Sequence, residues 1–162
     1  MDNNDFYFAQ LTDIHVGQGL NPIEAANNLK WALNELESIS PKPKLILVTA
    51  DLVCAGKRTE LLEYSELVKG HSIPMYSLPA NHDLWGENDD SAWLDIIGPM
   101  KQSIIVDDVY FLIWNETQRG ANGSWVAEFR EEQRDWLIKE LNKVLLENCE
   151  NLDCMKFPPY FC

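Results

Sequence analysis

Residues 45–51 read Leu45-Ile46-Leu47-Val48-Thr49-Ala50-Asp51. Four consecutive apolar residues describe a strand covered on both faces, as in parallel sheets, and Thr49-Ala50-Asp51 marks its exit into a polar loop. Toward the N-terminus, Phe6–Leu11 is a second apolar run that ends in Thr12-Asp13-Ile14-His15-Val16-Gly17. Between these runs, Asn21-Pro22-Ile23-Glu24 has the form of a helix start, with Ile23, Ala26, Leu29, Leu33 and Leu36 following at helical spacing to about Ser38. Toward the C-terminus, Thr59 is the expected cap of a second helix that turns Leu61, Leu62, Ser65 and Val68 to the core and stops at Gly70. Pro74–Pro79 is a third strand, leaving into Ala80-Asn81-His82-Asp83. This alternation predicts an α/β fold with a mostly parallel sheet. Two right-handed crossovers in one direction put both helices on one face, which leaves the other face in need of a cover.

Beyond Pro79 the pattern changes. Ser91–Ile97 is a short helix stopped by Gly98, and Ser103–Val106 with Val109–Trp114 reads as a hairpin about Asp107-Asp108. Residues 115–128 read as a loop, and residues 131–148 as a helix with Trp136, Leu137, Leu141, Val144 and Leu145 on one side. The sequence predicts one domain over residues 6–148 with a single core, and an unassigned tail over 149–162.

The 162 residues are 46% hydrophobic and 24% charged, which excludes collagen and disorder. Acidic residues outnumber basic ones 26 to 13, giving a net charge of -13. That balance argues against nucleic acid as a partner and favours divalent cations. No basic segment precedes an apolar stretch and the apolar runs are strand-length, so neither a signal peptide nor a membrane span is visible, and a soluble cytoplasmic protein is the expectation. Cys54, Cys149, Cys154 and Cys162 make no C-x-x-C spacing and read as thiols.

Asp13 with His15, then Asp51, then Asn81-His82-Asp83 each stand just past the carboxyl end of a predicted parallel strand. Those ends share one edge, where open α/β sheets build their ligand sites. Asp13 and His15, two apart on extended chain, are expected to point the same way. Two carboxylates, an imidazole and an amide oxygen form a mixed O/N donor set that suits Mn, Fe or Zn. Asp51, on the middle element, is placed to bridge two ions, an arrangement suited to in-line displacement at a phosphate ester. His82 is then the proton-carrying group near the leaving oxygen, oriented by Asp83. Singly, Asp13 reads as a turn residue and Asp51 as a strand-end cap; the weight lies in their coincidence at three successive strand ends. His71 reads as a surface residue, Glu87, Asp89 and Asp90 as a solvated loop, and Trp31, Trp93, Trp114 and Trp136 as core. Trp85 and Trp125, in loops, are open to two readings, as walls of a substrate cleft or as ordinary loop aromatics, and the second is favoured.

In this order and after apolar strands, Asp13-x-His15, Ala50-Asp51 and Ala80-Asn81-His82-Asp83 resemble the D-x-H, G-D and G-N-H-D motifs of the calcineurin-like metallophosphoesterases, from about Tyr7 to Leu141. Gln10–His15, Val48–Val53 and Gln133–Leu137 are most similar to the bacterial cyclic-nucleotide-phosphodiesterase-like branch. The resemblance implies a four-layer α/β/β/α sandwich, of which this chain holds the N-terminal half. It implies that Asp13 and His15 bind a first metal, Asp51 bridges, Asn81 binds a second, and His82 assists at the phosphate. Two divalent ions and a small-molecule phosphomonoester or phosphodiester substrate follow from it.

Departures from that pattern are informative. Ala50 and Ala80 stand where the family has Gly; a methyl is tolerated at negative φ and costs about 1 kcal/mol or more at positive φ. Cys54 takes a position that is acidic in many relatives. The later His and the Gly-His-x-His segment that complete both metals in the family have no counterpart, so the chain reads as C-terminally truncated, with weak metal binding expected. Two readings stay open: a metal-dependent phosphoester hydrolase, weak or inactive as this chain, and a non-catalytic binding or structural module that self-associates through an uncovered sheet face. A receiver-like domain with Asp51 as phosphoacceptor is disfavoured, since it leaves His15 and His82 unexplained.

Overall fold

The computed structural model describes residues 6–17, 21–86, 90–120 and 122–149. Its elements run β1 (Ala9–Thr12), α1 (Pro22–Ser38), β2 (Ile46–Thr49), α2 (Arg58–Val68), β3 (Met75–Leu78), a single 3-10 turn (His82–Leu84), α3 (Ser91–Ile96), β4 (Lys101–Val106), β5 (Val109–Trp114), β6 (Thr117–Arg119), β7 (Trp125–Ala127) and α4 (Glu131–Cys149). β1, β2 and β3 form a parallel sheet in that order, with Ala9, Ile46 and Met75 aligned, and Leu11, Val48 and Ser77 aligned. Both crossovers step the same way, and α1 packs beside α2.

The helix-covered face of the sheet is the core. Ile46 and Val48 are sealed there with Leu29, Leu33, Leu61 and Tyr64, and Ala9, Leu11 and Met75 pack against them. Each such fully buried large apolar side chain contributes roughly 1.5–3 kcal/mol. The opposite face is less covered than the apolar run of β2 predicts. Leu47, Tyr76 and Leu78 are half-buried there, and exposed Gln10 donates to Thr49 Oγ1 at 2.8 Å.

Helical geometry decides which apolar residues miss the core. On α1, Ala26, Leu29 and Leu33 are buried, but Trp31 is 66% and Ile23 77% exposed. At about 100° per residue, Trp31 falls opposite the stripe and Ile23 roughly 90° from its centre. Trp31 is therefore not a core residue. Leu62 is likewise half out of the α2 stripe that Leu61 and Tyr64 lead inward. Nor is Thr59 the cap of α2: the helix begins one residue before it, after Lys57, and buried Glu60 turns back to accept the Ala55 N–H at 2.9 Å. Trp93 of α3 is buried, as the sequence predicts.

The described residues gather into two compact units, one extending to Gln102 and including Ile113–Glu128, the other made of Ser103–Leu112 and the described residues from Phe129 onward. In the first, residues 115–128 are more than a loop: β6 and β7 pair antiparallel, Thr117 opposite Ala127 and Arg119 opposite Trp125. In the second, the β4–β5 turn is made by Asp107, at φ 52°, with Asp108. On α4, Trp136, Leu137 and Val144 are half-buried, Leu141 and Leu145 stay exposed, and Glu140 is buried with Lys143 Nζ at 2.6 Å. No helix is long and apolar enough to cross a membrane among the described residues. Glu87, Asp89 and the tail over 150–162 lie outside them.

Candidate metal centre

The ladder between β1 and β2 continues past the strand ends. Asp13 N–H donates to Ala50 O at 3.1 Å, His15 N–H to Asp51 O at 2.9 Å, Val16 N–H to Leu52 O at 2.9 Å, and Cys54 N–H returns to Val16 O at 3.0 Å. Yet the backbone here is not extended. Asp13 and His15 both take φ 55°, Ala50 φ 61° and Asp51 φ 41°. The side chains of Asp13 and His15 therefore converge from left-handed conformations, not from the alternation of an extended strand. Left-handed backbone costs a residue with a side chain roughly 1–2 kcal/mol. Four such residues in two facing loops concentrate strain where ligand atoms meet.

One ligand atom each from Asp13, His15 and Asp51 lie within 4.8 Å of one another. His15 Nε2 is 3.9 Å from Asp51 Oδ2, and Asp13 Oδ2 accepts the Thr12 hydroxyl at 2.6 Å. Oxygen and nitrogen donors bind zinc-like ions at about 2.0–2.2 Å, so atoms around one ion stand about 4.4 Å apart at most. The triad nearly has that spacing, and its two carboxylates and one imidazole are a donor set that could hold a cation.

The third loop closes on this pair. Asn81 precedes the 3-10 turn, and its carbonyl accepts the Leu84 N–H at 3.2 Å. The next N–H, of His82, reaches Asp51 Oδ1 at 3.2 Å. The His82 ring is fixed on three sides: Nδ1 lies 2.6 Å from the Cys54 carbonyl oxygen, the ring meets His15 edge-on at 5.1 Å, and Trp85 lies against it at 3.9 Å.

Asp83 does not hold His82. Both of its oxygens are taken by backbone N–H groups, Val53 at 2.9 Å and Ala80 at 2.8 Å, so it staples the β2 exit loop to that of β3, and the Cys54 carbonyl has the place at His82 Nδ1. Burial pushes the Asp83 carboxyl up to about 7 against the pull of the Ala80, Val53 and Leu52 N–H groups, with the Asp51 carboxylate adding to the rise. Cys54 is a free thiol whose Sγ lies 3.2 Å from the His15 carbonyl; burial and the Glu60 and Asp51 carboxylates raise its pKa. His71 is half-buried, 3.8 Å from Glu37.

The sequence reading missed the Cys54 carbonyl, because a main-chain partner has no residue-type signature. It favoured the bland reading of Trp85, and it missed Arg119, whose Nη2 donates to Trp85 O at 3.0 Å from a hairpin too short to show periodicity.

Known proteins share this arrangement of sequence. The chain is 26% identical over 142 residues to a probable glycerophosphodiester phosphodiesterase, GpdQ, of Arcobacter nitrofigilis, covering 83% of this chain and 51% of that protein. It is 26% identical over 155 residues to a 3',5'-cyclic-nucleotide phosphodiesterase of Nostoc sp., covering 93% and 56%. The chain thus spans about half the length of the curated relatives it matches. A solved structure of a protein of unknown function from Aquifex aeolicus aligns over 90% of this chain and 75% of its own with TM-score 0.37 and 15% identity, too loosely to carry an inference. The family model for calcineurin-like phosphoesterases matches residues 6–154. With nearly its whole length under that model, the chain belongs to the calcineurin-like phosphoesterase family.

Proposed function

We propose that this chain carries the site of a metal-dependent hydrolase of small phosphate esters, phosphodiesters above all, working with two divalent ions, Mn, Fe or Zn. The observation that carries the reading is the meeting of Asp13, His15 and Asp51 donor atoms within 4.8 Å of one another. Asp13 and His15 would hold the first ion, with Asp51 available to both and the Asn81 amide oxygen to the second. When bound, such ions supply Lewis-acid activation of water and charge neutralisation at the phosphoryl oxygens. Family membership supports hydrolysis of phosphoesters, and the names of both relatives specify diesters. The net charge of -13 argues against nucleic acid as a partner.

The chain's own residues contribute position and a proton. A carbonyl oxygen only accepts, so the contact with Cys54 keeps a proton on His82 Nδ1 and leaves Nε2 to face the ester. As imidazolium, His82 gives its Nε2 proton to the departing alkoxide. The Asp83 staple ties the loop that carries Asp51 to the loop that carries His82.

Calorimetric titration of Mn2+ into the chain, with hydrolysis of bis(p-nitrophenyl) phosphate followed in parallel, tests the reading. Wild type is expected to bind the ion weakly and turn over the diester slowly, and Asp51→Asn to lose about tenfold or more in affinity. An unchanged affinity in that variant overturns the proposal. Metal binding without hydrolysis favours instead a binding module that keeps the fold.

A further inference from the structure

Trp85 follows His82 by three residues and is 43% exposed. A solvent-facing indole on a loop would ordinarily be free to reorient, but this one is anchored. Its ring lies against His82, centroids 3.9 Å apart and tilted 37°. Its carbonyl accepts Arg119 Nη2 at 3.0 Å, and the same nitrogen lies 3.4 Å from Leu84 O. Arg119 in turn stands over the Trp125 ring at 5.2 Å, so the β6–β7 hairpin braces the loop from outside. Gly86 backs so closely onto Gly56 that a Cβ would strike the Gly56 carbonyl. A large π-face is thereby held rigid beside the residue assigned to the leaving group.

Phosphoesters differ in whether their organic part has a flat face. A glycerol group gains nothing from an indole, whereas a nucleobase or aryl ring stacks on one. A pre-positioned platform also avoids the ordering cost of recruiting a mobile side chain. We propose that Trp85 sets the substrate class of this site: its indole stacks on the planar group of a nucleoside or aryl phosphoester, with Arg119 and Trp125 holding it in place. The inference rests on the phosphoesterase reading above and narrows it.

The test is calorimetric binding of adenosine monophosphate and of glycerol phosphate to the full chain with Mn2+, in wild type, Trp85→Leu and Trp85→Phe. Wild type is expected to prefer the adenosine ligand; Trp85→Leu to weaken it about tenfold while leaving glycerol phosphate within about twofold; and Trp85→Phe to keep most of the preference. No preference in wild type, or equal losses for both ligands, overturns the inference. Hydrolysis of bis(p-nitrophenyl) phosphate is followed alongside. Turnover without adenosine preference overturns this inference alone, Trp85-dependent preference without turnover upholds it and overturns the hydrolase reading, and binding of neither ligand overturns both.

Discussion

The buried Asp83 carboxylate accepts the Val53 N–H at 2.9 Å across two loops that share no secondary structure. Its other oxygen takes the Ala80 N–H, so one side chain satisfies two donors in the loops of the candidate metal centre. Asp83→Ala leaves both unpaired, at about 1–3 kcal/mol each. Urea unfolding is expected to show a loss of about 2–4 kcal/mol; a loss under about 0.5 kcal/mol, the size of an ordinary surface substitution, would show that the staple bears no strain.

The same carboxyl makes stability depend on pH. Its pKa is raised from 3.8 to about 7, so between these values the folded chain keeps a proton that the unfolded chain has released. Unfolding then releases the proton, and stability falls as pH rises from about 4 to about 7, levelling above. Denaturation of the metal-free chain in chelator, at pH 5 and pH 8, is expected to show this decline in wild type and its absence in Asp83→Asn. An equal slope in both assigns it elsewhere.

His82 carries a prediction of its own. Because Nδ1 faces a carbonyl oxygen, the neutral ring is the Nδ1–H tautomer, leaving Nε2 as its acceptor. Nitrogen-15 spectra of the imidazoles decide the matter, and a protonated Nε2 in the neutral form would remove His82 from the leaving-group role.

Much of this site was legible in the sequence because apolar runs locate strands and a polar residue just after one lands at the shared edge. Asp13, His15 and Asp51 were found that way. What converges them was not legible: nothing in Thr12-Asp13-Ile14-His15 announces two left-handed residues, since ordinary propensities oppose them. β6 and β7, three residues each, are too short for alternation to register. Trp31 misled because hydrophobicity was weighed before helical angle. Trp85 was discounted because its value depends on Arg119 and Gly56, remote in sequence.

Ala50 and Gly86 predict opposite signs. Ala50, at φ 61°, holds a methyl in left-handed backbone, so Ala50→Gly is expected to stabilise by about 0.5–1 kcal/mol after the unfolded-state entropy of glycine is set against the relieved strain. Gly86→Ala drives a methyl into the Gly56 carbonyl and is expected to cost about 1–3 kcal/mol. Melting temperatures of the two variants check both; destabilisation by Ala50→Gly would mean that the methyl's packing outweighs its strain.

Glu37 works in the opposite direction from Asp83. Its carboxylate accepts Lys42 Nζ at 2.6 Å and the hydroxyl and N–H of Ser72 at 2.7 and 2.6 Å, tying the end of α1 to the segment before β3. The Lys42 bond first, then those from Ser72, lower its pKa from 4.5 to about 2. The folded chain therefore stays ionised where the unfolded chain takes up a proton, so this stabilisation is complete above about 4.5 and drains away as pH falls toward 2. Glu37→Gln is expected to flatten the acid limb of the stability profile while leaving the decline above pH 4 that belongs to Asp83. Because the two groups titrate on either side of pH 4, a double variant with Asp83→Asn should lose both limbs additively. An acid limb undiminished in Glu37→Gln would show that Lys42 and Ser72 hold α1 without help from this charge.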